Sequence, residues 1–143
     1  MNMGALSQVQ AVVVQDLEIK EKLQETLSRG NPATEAMVEA PVVIALCGKL
    51  ERSGYKRGEV TTKFGDWFMF GLGLATQNLC LTAYKLNMGT VIVGWFDHDK
   101  VKEILHVPEG YEVVTLIPLG YPAHKGRESR RKQISEFVHN DIF

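Results

Sequence analysis

The residues best suited to chemistry cluster late in the chain. Lys125, Arg127, Arg130, Arg131 and Lys132 form a basic run broken by one acid, Glu128. Guanidinium groups pair bidentately with phosphate oxygens, so this run is a candidate phosphate grip. A solvated linker is the plainer alternative. A second candidate is Gly94, which follows the β-branched run Thr90-Val91-Ile92-Val93. A glycine at a strand end often marks close approach of backbone to a ligand.

Other chemistries find little support. His98, His106, His124 and His139 show no metal-ligand spacing. His98 and His106 are expected to be exposed at helix ends. Cys47 and Cys80 lie in apolar runs and match neither a zinc pattern nor a CxxC pair. Both are expected as buried thiols in a reducing compartment. Gly71-x-Gly73 lacks the third glycine of a dinucleotide fingerprint, because Thr76 stands there. These two glycines are expected to let a helix start pack close to another backbone. Neither a Ser/His/Asp nor a Cys/His arrangement is suggested locally.

The elements that must position these residues can be read from patterning. Residues 5–14 end in AVVV and predict a strand. Asp16 is placed to cap a helix with Ile19, Leu23 and Leu27 on one face, stopping at Gly30. Asn31-Pro32 starts a shorter helix through Glu39. Pro41 opens a strand, VVIALC, apolar on both faces. Gly48 to Asp66 has four glycines, many charges and no period, and reads as a long mobile loop, either a lid or a variable surface.

Residues 67–88 form the clearest helix, with Leu72, Ala75, Leu79, Ala83 and Leu86 on one stripe and Leu74 and Leu81 on another. A helix apolar on more than one face is buried in a core or between subunits. Thr90 to Trp95 predicts a strand. Asp97 caps a helix to Leu105, Pro108-Glu109-Gly110 turns, and Glu112 to Leu119 is a strand ended by Gly120-Tyr121-Pro122. The apolar residues of ISEFVHNDIF fit no single helix face and read as a tail packed on something else, such as a partner subunit. Interspersed helices and short strands far apart in sequence indicate an α+β domain.

A chain of 143 residues with 45% hydrophobic content is long enough to bury a core as one domain. Its formal charge of −1 argues against nucleic acid as an obligate partner. No targeting segment or membrane-length apolar run is visible. The chain therefore reads as soluble and cytoplasmic, with no membrane partner.

From about Trp67 onward the order of these pieces resembles the nitroreductase family. The matching residues are Ala75, Gln77, Asn78 and Leu79 in the buried helix, Met88-Gly89-Thr90, and Gly94 with Phe96-Asp97. The helix Lys100–Leu105, the Pro108-Glu109 turn, Leu119-Gly120-Tyr121-Pro122, and Arg131-Lys132 before the tail follow in order. The resemblance implies an α+β fold with a central, mostly antiparallel sheet flanked by helices, built as an intertwined homodimer. It implies a noncovalent FMN at each of two interface sites, each using both chains. The implied reaction is ping-pong: NAD(P)H reduces the flavin, and a nitroaromatic, quinone or similar acceptor reoxidises it.

Carried over by position, Ile92, Val93 and Gly94 would lie along the isoalloxazine ring, with backbone N–H groups reaching the flavin. Arg131 would contact the FMN phosphate, with Arg130 and Arg127 as weaker candidates. Ser7, Gln8 and Gln10 resemble a remnant of the family's other ring-contacting segment. The chain departs from the family in several places. Gly71 stands where an acidic residue is common, and Asn87 where a glycine is common. The first arginine is Arg29, so no Arg-Arg-Ser phosphate motif precedes it. Residues 1–143 are thus expected to form one nitroreductase-like domain lacking the usual N-terminal helical segment. This leaves an alternative open: a dimeric scaffold that binds flavin weakly or not at all, and instead holds another ligand or a protein.

Overall fold

The computed structural model describes residues 8–124, 126 and 130–143. Four strands form one sheet in the order β1-β2-β6-β5, every neighbouring pair antiparallel. They are β1 (Val9–Val14), β2 (Val42–Lys49), β5 (Gly89–Thr90) and β6 (Tyr111–Gly120). Two further short strands, β3 (Tyr55–Lys56) and β4 (Glu59–Val60), pair with each other. The helices are α1 (Leu17–Glu25), α2 (Thr34–Glu39), α3 (Phe68–Lys85) and α4 (His98–Ile104).

The sheet separates two apolar layers. Val43, Ala45 and Cys47 of β2 pack with Leu23 of α1, Met37 of α2 and Val101 of α4. Leu46, with half-buried Ile44, faces the other way, onto Leu72, Phe68 and Leu79 of α3. β2 is therefore covered on both faces, as its unbroken apolar run requires. β6 serves both layers by a different route. The register shifts between Leu46 and Cys47, leaving Val114 as an extra residue. This bulge changes the phase of the strand, so Val113 and Leu116 face one layer while Val114 and Ile117 face the other.

Helix starts follow local chemistry. The Asp16 carboxylate accepts from the Ile19 N–H at 3.0 Å, and the Asp97 carboxylate from the Lys100 N–H at 3.1 Å. Each satisfies one of the donors a helix start leaves unpaired. α1 ends earlier than Gly30, at Glu25, because the Thr26 hydroxyl turns back onto the Leu23 carbonyl at 2.6 Å. Asn31 does not begin α2; its side chain accepts from the Ala33 N–H at 3.0 Å, an Asx turn that delays the helix to Thr34.

Two expectations need correcting. The stretch Gly48–Asp66 is not without structure: it carries the β3–β4 hairpin, turned by Arg57 and Gly58 with φ of 55° and 83°. Positive φ at both central residues is the turn geometry that matches strand twist. Asp66 closes the segment, its carboxylate accepting from the N–H groups of Glu51 at 2.5 Å and Phe68 at 3.1 Å. Thr90–Trp95 is not a continuous strand either. Only Gly89 and Thr90 are in the ladder, and a single bridge joins Val93 to Leu116.

α3 lies on Gly48, where an added Cβ would meet Phe68 Cδ2 at 2.7 Å and Leu72 Cδ1 at 2.8 Å. Gly73 behaves otherwise. A Cβ there meets nothing within 4 Å, so no close approach in this chain requires it. The opposite side of α3 carries Phe70, Leu74, Leu81 and Tyr84, all exposed and recurring at helical spacing. The apolar residues of the tail, Ile134, Phe137, Val138, Ile142 and Phe143, are also exposed around a short 3-10 turn at Ile134–Glu136. Among the described residues no helix is long and apolar enough to cross a membrane.

Candidate functional site

The segment after β5 is where the fold shapes a site. A row of paired residues, Val12, Ala45, Leu116 and Val93, crosses the sheet and ends at this segment. Val93 points into the core and is 3% exposed, while Ile92 is 58% and Trp95 63% exposed. Gly94 is also exposed, and a Cβ added there would meet nothing within 4 Å.

Three carbonyls of this segment are tied back to the protein, whereas that of Ile92 accepts no hydrogen bond among the described residues. Val93 O accepts from the Leu116 N–H at 3.0 Å and from the Thr115 hydroxyl at 2.9 Å. Gly94 O lies 3.3 Å from His98 Nε2. Trp95 O accepts from the Ser28 N–H at 3.3 Å and from Asn31 Nδ2 at 3.0 Å. The donors divide differently. The Val93 N–H donates to Leu116 O at 2.9 Å, whereas the N–H groups of Ile92 and Gly94 have no hydrogen-bond partner among the described residues. An exposed backbone with free donors suits a flat ligand that offers acceptor atoms. Of the three ring-contacting candidates, Val93 spends both backbone groups inside the sheet. Ile92 and Gly94 keep their N–H groups free of any partner among the described residues.

A groove of about 1010 Å³ begins beside Val91 and Thr90 and continues past Gly120 and Pro122 to His124 and Gly126. Its lining stops short of Ile92–Gly94 at one end and of Arg130 and Arg131 at the other. Arg130 and Arg131 are exposed and outside regular structure, with no ion pair among the described residues. Arg127 and Ser7 fall outside the described residues.

Gln10 is exposed on β1, at the far edge of the sheet. Three strand spacings separate it from the Val93 side, about 14 Å. Within one chain, therefore, Gln10 is not brought to Ile92 and Gly94.

A second concavity, about 440 Å³, lies beside the β3–β4 hairpin and is lined by Lys49, Arg52 and Arg57 with Tyr55 and Tyr111. Lys49 sits 5.5 Å from the centre of the Tyr111 ring, a cation–π contact.

Other titratable groups play structural parts. Burial, with Glu112 adding to it, pushes the Cys47 thiol up and keeps it protonated. Cys80 is only half-buried, contrary to expectation, because it falls beside the outer stripe of α3. Lys102 is raised mainly by its 2.8 Å hydrogen bond to Glu112, which ties α4 to β6. The Asp97 carboxyl is held below its ordinary range, first by the Lys100 backbone N–H and then by the Lys100 side chain. His106 is exposed as expected, but His98 is half-buried against the sheet.

Sequence reading missed two residues of the site, Thr115 and His98. Thr115 could have been found as the one polar side chain in the apolar run Val113 to Leu119. His98 could have been found from its spacing, four residues after Gly94.

The profile of the nitroreductase family matches residues 2–121, and the chain belongs to that family. The match takes in the N-terminal half, where the residue-level resemblance is loose. Two curated relatives carry names marking them as candidate NADH dehydrogenase/NAD(P)H nitroreductases. The one from Archaeoglobus fulgidus is 28% identical over 115 residues, covering 78% of this chain and 59% of its own length. The one from Methanothermobacter thermautotrophicus is 30% identical over 118 residues, covering 78% and 54%. The chain thus spans less than two thirds of these relatives.

Among solved structures, a nitroreductase family protein of Clostridium novyi NT has a TM-score of 0.69 at 26% identity, covering 80% of this chain and 62% of its own. An FMN-dependent nitroreductase of Clostridium difficile R20291 has a TM-score of 0.76 at 20% identity, covering 96% and 78%. The fold is that of the nitroreductases.

Proposed function

We propose that this chain is the flavin-binding core of an FMN-dependent oxidoreductase that takes hydride from NAD(P)H and passes electrons to a nitroaromatic, quinone or similar acceptor. The observation that carries this reading is the segment Ile92–Trp95, with the Val93, Gly94 and Trp95 carbonyls held by the protein and the Ile92 and Gly94 N–H groups without a partner among the described residues. Those residues fit an isoalloxazine ring: the glycine leaves room, and the N–H groups meet ring acceptor atoms. Arg131, helped by Arg130, would hold the phosphate. The flavin, when bound, supplies the hydride-accepting chemistry, and the protein supplies orientation and hydrogen bonds.

The reading includes a homodimer. Phe70, Leu74, Leu81 and Tyr84 make an apolar stripe on α3 that a second copy would cover, and the exposed tail would pack on the same partner. Because Gln10 lies across the sheet from Gly94, a second chain is the means by which a β1-side contact joins the ring. Two unpaired cysteines agree with a cytoplasmic setting.

The test is the visible spectrum of the purified protein, followed by FMN titration. The expected result is a flavin spectrum, saturable FMN binding that Arg131→Ala weakens at least tenfold, and FMN-dependent oxidation of NADPH or NADH. Protein that carries no flavin and takes up none overturns the proposal in favour of a scaffold without flavin.

A further inference from the structure

His98 does more than satisfy itself. Its Nδ1 lies 2.8 Å from the Val113 carbonyl on β6, and its Nε2 lies 3.3 Å from the Gly94 carbonyl. The ring also stacks on Phe96, with centroids 4.0 Å apart and planes tilted by 31°. Phe96 is itself buried in the core. The imidazole is therefore held on one face by a buried ring and on one edge by strand β6.

Its remaining edge meets Gly94, the residue in the segment with no side chain to anchor it. Neighbouring carbonyls are fixed by other groups: Val93 O by Leu116 and Thr115, Trp95 O by Ser28 and Asn31. Gly94 O has only His98 among the described residues. Glycine has the widest backbone freedom of any residue, so this peptide is the one that most needs an external hold.

We propose that His98 is a positioning residue for flavin: by bridging the Val113 and Gly94 carbonyls it fixes the Gly94 peptide, and so aims the Ile92–Gly94 donors at the ring. The inference rests on the flavin reading above. Both ring nitrogens face acceptors, so the doubly protonated ring donates to both carbonyls at once, and either neutral tautomer to one. A glutamine amide, with two N–H donors on one nitrogen, is the conservative replacement. Alanine removes the bridge and is tolerated at the first position of a helix.

The experiment compares wild type, His98→Ala and His98→Gln in three measurements: FMN dissociation constant, the visible spectrum and reduction potential of bound flavin, and the Gly94 carbonyl carbon resonance in ¹³C-labelled, flavin-free protein. His98→Ala is expected to move the Gly94 resonance more than that of other glycines. It should weaken FMN binding about five- to tenfold, the cost of one lost hydrogen bond, and shift the potential and the spectrum. His98→Gln should recover part of each. A His98→Ala protein that stays folded by circular dichroism, with the Gly94 resonance, FMN affinity and potential all unchanged, overturns the inference and leaves the flavin reading standing. Wild-type protein that takes up no FMN overturns the flavin reading, and with it the link from His98 to the cofactor. A Gly94 resonance that moves in His98→Ala while FMN affinity and potential do not would reduce His98 to a structural tie and also overturn the inference.

Discussion

The Thr115 hydroxyl reaches from the central strand to donate to the Val93 carbonyl at 2.9 Å, with both residues buried. This bond ties Val93, the residue that bridges to Leu116, to the sheet from its side-chain layer as well as its backbone. Replacing Thr115 with Val keeps the shape and removes the donor. The Val93 carbonyl retains the Leu116 N–H, so no buried acceptor is orphaned. The expected loss is about 1 kcal/mol in urea unfolding. A loss near zero would mean the bond contributes nothing to holding the segment.

Gly48 and Gly73 should respond in opposite directions to alanine. At Gly48 the new methyl collides with Phe68 and Leu72, and overpacking of this kind costs about 1–3 kcal/mol. At Gly73 the methyl enters open space on a helix, and the gain in helix propensity is up to ~1 kcal/mol. Thermal unfolding of the two variants checks both. Destabilisation by Gly73→Ala would show that a second chain approaches the helix there.

The two thiols should differ in reactivity. Cys47 is buried and its thiolate is disfavoured chiefly by that burial. Maleimide labelling of native protein, read by peptide mapping, should modify Cys80 at least about tenfold faster. Unfolding in guanidinium should abolish the difference.

The Asp97 cap gives a pH dependence with a definite sign. Its folded carboxyl titrates below the ordinary value, because the Lys100 N–H and side chain favour the charged form. The contribution is present above the unfolded carboxylate pKa, and is lost as pH falls through the folded one. Asp97→Ala should therefore flatten the acid limb of a stability–pH curve and change its neutral-to-alkaline part by a constant offset. Equal offsets at pH 3 and pH 7 would count against the cap.

The outer stripe of α3 should control assembly. Leu81→Glu puts a charge where a second copy would bury leucine, and is expected to weaken association roughly a hundredfold. Sedimentation velocity across a dilution series measures this. A wild-type chain that remains monomeric at every concentration would leave the stripe without its proposed partner.

Local signals in the sequence carried most of the fold. Asp16 and Asp97 announced their helices because a carboxylate before an apolar period is a local cap. β2 was legible because a strand covered on both faces needs a continuous apolar run. What depended on distant partners was not legible. The Thr90–Trp95 run has full strand propensity, yet it leaves the ladder after Thr90 and rejoins β6 only at Val93. The Val114 bulge has no composition of its own. His98 looked like a surface residue because its two acceptors belong to a neighbouring peptide and to a strand well downstream. For the candidate site, the sequence pointed to the Ile92–Gly94 segment but not to which of its atoms remain free.

The exposed stripe on α3 has a consequence for anyone measuring this protein. If each flavin is enclosed only when two copies meet, cofactor occupancy obeys mass action in protein as well as in FMN. Diluting a yellow stock would then bleach it even with free flavin held constant. Cofactor content would report how crowded the chains are.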